Sequence, residues 1–315
     1  MKNYIITSME NNSTVKNSDP IDEVIDFREL FKVLWEGKVL IVAVISIFSI
    51  AAVIYSLSLP NIYQSKAYLS PVGEQAGTGQ GMQGVGGLAS LAGISFGPQV
   101  GGSKSIEALE KLNSLSFFSE NILPNIFLPD LMAIESWDKS SNSIDYKKNI
   151  FDKETQAWIG EIPTAQQSYR AFNENLRISK DEFTGFVTIA VKHQSPYVAK
   201  EWTELIVNEL NDFFRTKDKI EAKAAMNFLN TQIAQTSFTE IKQVIAQLLQ
   251  ERTQQLTLIE VNDFYVFEYI DPPAVMEKKI EPTRSFICIV GAFLGAVLGV
   301  FIALIRFYSR EKKVQ

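Results

Sequence analysis

Two stretches of the chain run for 21 positions each without a charged residue, residues 39–59 and residues 285–305. At about 1.5 Å of helical rise per residue, each reaches roughly 30 Å, the thickness of a bilayer's hydrocarbon core. Their limits are sharp: Lys38 and Pro60 bound the first, Arg284 and Arg306 the second. The pattern predicts two transmembrane helices, since buried core helices seldom run so far without charge. The first begins too late, behind too acidic a leader, for a cleaved signal peptide. On the terminal side, Arg28, Lys32, Lys38, Arg306, Arg310, Lys312 and Lys313 lie near the spans, against Lys66, Lys278, Lys279 and Arg284 on the other. That bias puts both termini in the cytoplasm. The expected organisation is a cytoplasmic segment (1–38), a span (39–59), an extracytoplasmic domain (60–284), a second span (285–305) and a cytoplasmic tail (306–315).

Residues 1–18 are polar and read as disordered. Asp19-Pro20 then marks a helix start, with Val24, Phe27, Phe31 and Leu34 at helical spacing. This is an amphipathic helix on the inner leaflet or an extension of the span. Between the spans, residues 63–69 alternate as a strand. Residues 75–103 carry no charge and ten of the 17 glycines, the composition of a flexible loop. Ile106, Leu109, Leu112 and Leu115 predict a helix over 105–122. Residues 131–163, with Trp137 and Trp158, give no periodicity that places them. Residues 176–180 and 186–192 alternate around a turn at 181–185 and predict a β-hairpin with Ile178, Val187, Ile189 and Val191 inward. Ser195-Pro196 opens a helix that runs to about Gln235, roughly 60 Å of rod. A break at Thr236-Ser237 precedes a second helix to about residue 260, and residues 264–270 form a closing strand. Strand, helix, strand, strand, helix, strand is the split βαβ, ferredoxin-like plan. The fold class expected is therefore α+β: two transmembrane helices flanking a ferredoxin-like base, with long helices (196–260) protruding as an arm. The first and last strands both feed spans, so they should share one sheet.

Candidate chemistry adds little. A net charge of −6 argues against nucleic acid, which is bound through Lys and Arg. One cysteine, Cys288, and one histidine, His193, make neither a disulfide nor a nitrogen–sulfur zinc cage. The scattered glycines of 75–103 are not followed by a Lys-Ser/Thr pair, so no nucleotide loop is expected. His193 reads as a surface or capping residue, and the Asp181-Glu182 pair as a solvated turn. Catalytic residues, metals and cofactors are all expected to be absent. Gln232, Gln235, Gln243, Gln247, Gln250, Gln254 and Gln255 read as a solvated or subunit-facing surface of the arm. In the second span, Gly291, Gly295 and Gly299 form two overlapping small-xxx-small steps on one face. Such a face packs closely on another helix: the first span, another subunit or a partner protein.

The chain resembles the polysaccharide co-polymerases, the chain-length determinant family of bacterial O-antigen synthesis. The resemblance is carried by Asp26-Phe27-Arg28-Glu29-Leu30 and Leu34-Trp35, by Tyr63, Ser65 and Ala67, and by Thr184-Gly185-Phe186-Val187-Thr188 with Ser195-Pro196. It continues in Tyr265-Val266-Phe267 and Ile270-Asp271-Pro272, and at the second span in Pro273, Pro282, Gly295 and Gly299 at the family's spacing. Met276, Glu281 and Thr283 stand where the family pattern has Pro, Ser and Lys, and Arg284 is the replacement basic anchor. The resemblance implies an inner-membrane homo-oligomer with a periplasmic domain. It implies a non-enzymatic regulator that sets O-antigen chain length together with an integral-membrane polymerase, with lipid-linked polysaccharide as a further contact. That polymerase is one partner the glycine face could meet. With nine residues after Arg306, no Walker motif and no Tyr-rich tail, the chain does not resemble the longer autokinase members that serve capsule and exopolysaccharide export. Two alternatives are a two-span sensor, for which that tail leaves no output module, and an enzyme of envelope glycans, which needs carboxylates converging in a cleft.

Overall fold

The computed structural model describes residues 33–72, 102–262 and 264–311. The helix start at Asp19-Pro20 and most of the glycine-rich stretch lie outside these residues. The described chain divides into two units, one of the apolar helices (up to Ser56 and from Arg284) and one of residues 57–283.

The helical unit contains α1 (Lys38–Ser58) and α8 (Arg284–Glu311). Both are long and apolar enough to cross a membrane. A helical turn at Val33–Glu36 precedes α1, and Gly37 and Ile41 continue its hydrogen bonding, with Gly37 N donating to Val33 O (2.9 Å) and Ile41 N to Gly37 O (3.0 Å).

The second unit is built on β1 (Tyr63–Pro71), β6 (Leu176–Lys180), β7 (Val187–His193) and β8 (Phe267–Asp271). They form one sheet in the order β6-β7-β1-β8, with every neighbouring pair antiparallel. The expected pairing of the first and last strands is present, Leu69 opposite Tyr269 and Pro71 opposite Phe267. The central register sets Ala67 against Ile189 and Leu69 against Val187. Tyr63, Ser65, Ala67 and Leu69 alternate inward as period-2 residues should, and Val187, Ile189 and Val191 do the same on β7.

One helix covers that face. In α6 (Pro196–Gln235), Val198, Trp202, Ile206, Leu210 and Phe214 recur every fourth residue and are buried in the core with the sheet. Ser195 caps the helix, its Oγ accepting from Val198 N, and Pro196 supplies the preset φ of a first helical residue. Beyond Phe214 the helix leaves the core: Ala222 is its one further buried residue. From there α7 (Thr239–Val261) packs back along α6 after a break at Thr236–Phe238.

The stretch 105–122 is not one helix. It divides into α2 (Gly102–Leu112), α3 (Leu115–Phe117) and a π turn (Phe118–Ile122), because Ser114 caps a fresh start by accepting from Phe117 N at 3.2 Å. The residues driven into the core are Ala108, Leu112, Phe117, Phe118 and Ile122, whereas Ile106 is exposed. After α4 (Leu128–Met132), residues 134–158 form two small hairpins, β2 (Ile134–Asp138) with β3 (Ser143–Tyr146), and β4 (Phe151–Asp152) with β5 (Ala157–Trp158). Edge-on rings hold the pair together: Phe151 meets Phe127, Tyr146 and Trp158 at centroid separations of 5.9, 5.3 and 5.4 Å. A further helix, α5 (Ala165–Asn175), starts at a capping box of Thr164 and Gln167 and buries Phe172.

Candidate functional site

The glycines of the second apolar helix meet the first. Gly291, Gly295 and Gly299 are all buried. A methyl built on Gly291 would lie 2.4 Å from Ala52 Cβ; one on Gly295, 2.9 Å from Phe48 Cβ and 3.0 Å from Ile45 Cα; one on Gly299, 3.1 Å from Ile41 Cα. Real Cβ atoms essentially never approach within 3.0 Å, so Gly291 and Gly295 are what let the two backbones touch, while at Gly299 a methyl would only force Ile41 to give by a few tenths of an ångström. The row continues past the three sequence candidates. Ala303 is buried against Gly37, where an added methyl would be 2.9 Å away. Gly37 was invisible as a packing residue because it precedes the apolar run and has no second glycine at four-residue spacing. The face is thus occupied by α1 of the same chain.

Pro273 and Pro282 lie in the segment that returns from β8 to α8. Pro273 is buried, and the next residue's carbonyl, Ala274 O, accepts from Ser65 Oγ at 2.9 Å, which holds the segment along β1. Pro282 follows the bridge in which Ile62 N donates to Glu281 O (2.9 Å) and Ile280 N to Ile62 O (2.8 Å). The Glu281–Pro282 peptide is cis.

Where α6 leaves the core, a polar junction ties three elements. Asn211 is buried on α6 and binds the start of β8. Its Oδ1 accepts from Val266 N (2.7 Å), Phe267 N (2.9 Å) and Tyr265 N (3.3 Å), while Nδ2 donates to Phe267 O (3.0 Å). Two turns of α6 further on, Lys104 of α2 pairs with Asp218 and also donates to Tyr265 Oη at 3.0 Å. Tyr265 Oη donates in turn to Asp218. Burial, with the Asp218 carboxylate beside it, pushes the Tyr265 hydroxyl well above the usual phenol range.

His193 is buried rather than at the surface, which corrects the surface half of the expectation, and its ring caps the Ser195 N–H at the turn into α6. Ser195 N donates to its Nδ1 at 2.9 Å, so Nε2 carries the proton and donates to Asp130 O at 3.0 Å; the ring packs on Trp202 at 5.1 Å. Burial lowers its pKa from the ordinary 6.5, outweighing the raising effect of Asp130. The Asp130 carboxyl is pushed up by burial, against the lowering hydrogen bond from Tyr146 Oη (2.6 Å). The signs are opposite. The neutral histidine favours the folded chain above pH 6.5, and that contribution is lost as pH falls through the folded value. Asp130 favours the folded chain below 3.8 and loses that contribution as pH rises through its own raised value. Acidifying from about pH 7.5 to below 6.5 enters the histidine window. The unfolding midpoint of the full-length protein in nanodiscs, read by Trp fluorescence, should fall, and His193→Gln should flatten the dependence. An equal fall in both proteins would assign the effect elsewhere.

Asp181 is a turn residue, as the sequence suggests: its carboxylate accepts from Phe183 N (2.8 Å) and Thr184 N (3.1 Å), which holds its pKa below the usual range. Among the described residues no group of three or more His, Cys, Asp or Glu side chains is gathered to hold a metal.

Comparison with known proteins bears on the N-terminal third of the chain. Residues 23–123 match the family model described as Wzz, chain length determinant protein. The match is to the Wzz family. It takes in α1, β1 and the run from α2 through the π turn, and it ends before the second apolar helix. The Wzz match therefore includes Ile41, Ile45, Phe48 and Ala52, which receive the glycines, but not the glycines themselves. A solved structure described as a full-length bacterial polysaccharide co-polymerase is a distant likeness, with 13% identity and a TM-score of 0.42 over 92% of this chain and 100% of that one. None of the curated proteins matches the chain.

Proposed function

We propose that this protein regulates the length of a polysaccharide, the O-antigen of lipopolysaccharide, without itself catalysing glycosyl transfer. The observation that carries this reading is the match of residues 23–123 to the chain length determinant family. The protein sits in the inner membrane with both termini in the cytoplasm and residues 60–284 in the periplasm. The order β6-β7-β1-β8, with helices following β1 and β7, supports a ferredoxin-like base. The distal half of α6 with α7 is the arm. Ile241, Val244 and Leu248 are exposed at helical spacing on one face of α7, joined by Leu258 lower down. An apolar stripe of that length on a single copy supports assembly as a homo-oligomer. The assembled spans then act on an integral-membrane polymerase, with lipid-linked polysaccharide as a further contact. Gly291, Gly295 and Gly299 hold the two spans as one unit for that partner to meet, and Pro273 and Pro282 shape the segment that leads from β8 into the second span.

Deleting the gene from its host should convert a clustered set of lipopolysaccharide lengths, seen as bands on a gel, into an unclustered ladder. The full chain supplied in trans should restore the cluster. An unchanged cluster after deletion would remove this polymer from the proposal.

A further inference from the structure

One edge of the second unit carries apolar side chains that its own core leaves uncovered. Tyr197, on the first turn of α6, is 49% exposed, and Val275, Met276 and Ile280 are 38%, 45% and 36% exposed. Trp137 stands at the same edge, its ring 5.4 Å from that of Tyr63 and 6.4 Å from that of Tyr197, with Nε1 donating to Asn142 Oδ1 at 2.9 Å. The sheet register brings Tyr63, Tyr197 and Ile280 to one end of β1, and the bond from Ser65 Oγ to Ala274 O (2.9 Å) holds the neighbouring Val275 and Met276 along the same strand. Tyr63 opposes His193, two residues before the cap of α6, and Ile62 bridges Glu281 beside Ile280. Basic groups accompany them: Lys278 is exposed, and Lys279 Nζ bonds Asn61 Oδ1 at 2.8 Å.

The chain itself says what lies near this edge. Tyr63 follows Ser58, the last residue of α1, by five positions, and Ile280 precedes Arg284, the first residue of α8, by four. At an extended reach of at most about 3.6 Å per residue, those links span no more than roughly 18 Å. An edge tethered that closely at two points to helices long and apolar enough to cross a bilayer falls within reach of the headgroup layer. The side chains present are the ones that layer favours: Trp and Tyr with an apolar body and a polar tip, a small cluster of apolar side chains, and an exposed lysine, Lys278.

We propose that this edge, formed by Trp137, Tyr197, Val275, Met276, Ile280 and Lys278, is a lipid-binding surface seated in the headgroup layer of the bilayer. The inference rests on the membrane reading given above. It extends that reading from the two helices to the β-sheet unit.

The test is nitroxide accessibility in the full chain. Cysteines are introduced singly at Tyr197, Met276, Phe183 and Ile289 in a Cys288→Ser background, spin-labelled, and reconstituted in phosphatidylethanolamine–phosphatidylglycerol vesicles. Phe183 is fully exposed at the β6–β7 turn and serves as the aqueous reference, and Ile289 is exposed on α8 and serves as the lipid reference. Oxygen collects in the bilayer and a nickel chelate stays in water. The ratio of their effects at positions 197 and 276 should be several-fold above that at 183 and below that at 289. If 289 reads as lipid while either 197 or 276 reads like 183, the lipid surface is refuted and the membrane reading survives. If 289 also reads as aqueous, both fall.

Discussion

Replacing Gly291 and Gly295 together by leucine should separate α1 from α8 while leaving both helices inserted. The added side chains have nowhere to go. At Gly291 even the first carbon would stand 2.4 Å from Ala52 Cβ, and at Gly295 it would stand 3.0 Å from Ile45 Cα. Neither neighbour is the free end of a flexible side chain, so the helices must move apart. Overpacking of this kind costs about 1–3 kcal/mol per site. Insertion is not threatened, because leucine is more favourable than glycine in a span. The readout is a disulfide between Gly37→Cys and Ala303→Cys, a pair at the far end of the same helix contact whose Cβ atoms, at 2.9 Å, need part only to the roughly 3.5–4.5 Å that a disulfide spans, in a Cys288→Ser background. It should form readily in the parent and be lost in the double leucine variant at equal membrane abundance. Chain-length control should fail with it, because the pair of spans no longer presents a single surface. A compensating exchange sharpens the case. Gly291→Ala alone should weaken the crosslink, and adding Ala52→Gly should restore it, since the nearest atom to the methyl is then Phe48 O at 3.4 Å, ordinary contact distance. Full crosslinking in the double leucine variant would show that the contact does not need the glycines.

The sequence carried the larger elements because each had a local cause. The apolar runs are uninterrupted, β1 and β7 alternate cleanly, and Ser195-Pro196 supplies a cap and a preset φ together. Where the expectation missed, a side chain had intervened in the backbone's hydrogen bonding. The closing strand was expected to begin at residue 264 but begins at Phe267. The backbone N–H groups of Tyr265 and Val266 are satisfied by Asn211 and not by a strand partner, a long-range contact without a sequence signature. The helix expected over 105–122 is interrupted by Ser114, whose hydroxyl competes with the continuing helix for Phe117 N.

The hairpins of residues 134–158 were illegible for a different reason. Strands of two to five residues are too short to display a period. Their turns were readable in principle: Asp138 accepts from Ser140 N and Asp152 from Glu154 N, each two residues on, as Asx turns do. The capping box Thr164–Gln167 likewise announced α5, which went unnoticed because its apolar stripe is thin. At the candidate site, the glycine register was legible and its partner was not. Small-xxx-small spacing says that something packs closely, and only the coordinates of α1 say what.

Asn211→Leu is the second substitution expected to have a large effect, and it acts on the other unit. The side chain is buried on α6, and it is the partner of the backbone N–H groups of Val266 and Phe267 and of the Phe267 carbonyl. Leucine fits the volume but satisfies none of them. Each buried backbone group left without a partner costs about 1–3 kcal/mol, so the variant should lose roughly 3 kcal/mol or more. With a denaturant slope of about 1–3 kcal/mol per molar urea, the midpoint should fall by roughly 1 M or more. The loss should be local before it is global. Amide exchange at Val266 and Phe267 should accelerate first, and the loop joining α7 to β8 should become protease-sensitive, because Asn211 is what fixes the chain as it returns from the arm to the sheet. Asn211→Asp separates the two halves of the interaction. It keeps an acceptor for the N–H groups but sets a carboxylate oxygen against the Phe267 carbonyl, where the amide had donated. That variant should be destabilised at neutral pH and should recover partly in acid, once the introduced carboxyl can itself donate to Phe267 O. Exchange rates at residues 266 and 267 that match the parent in Asn211→Leu would mean that the strand start is held by β1 alone and that the amide is incidental.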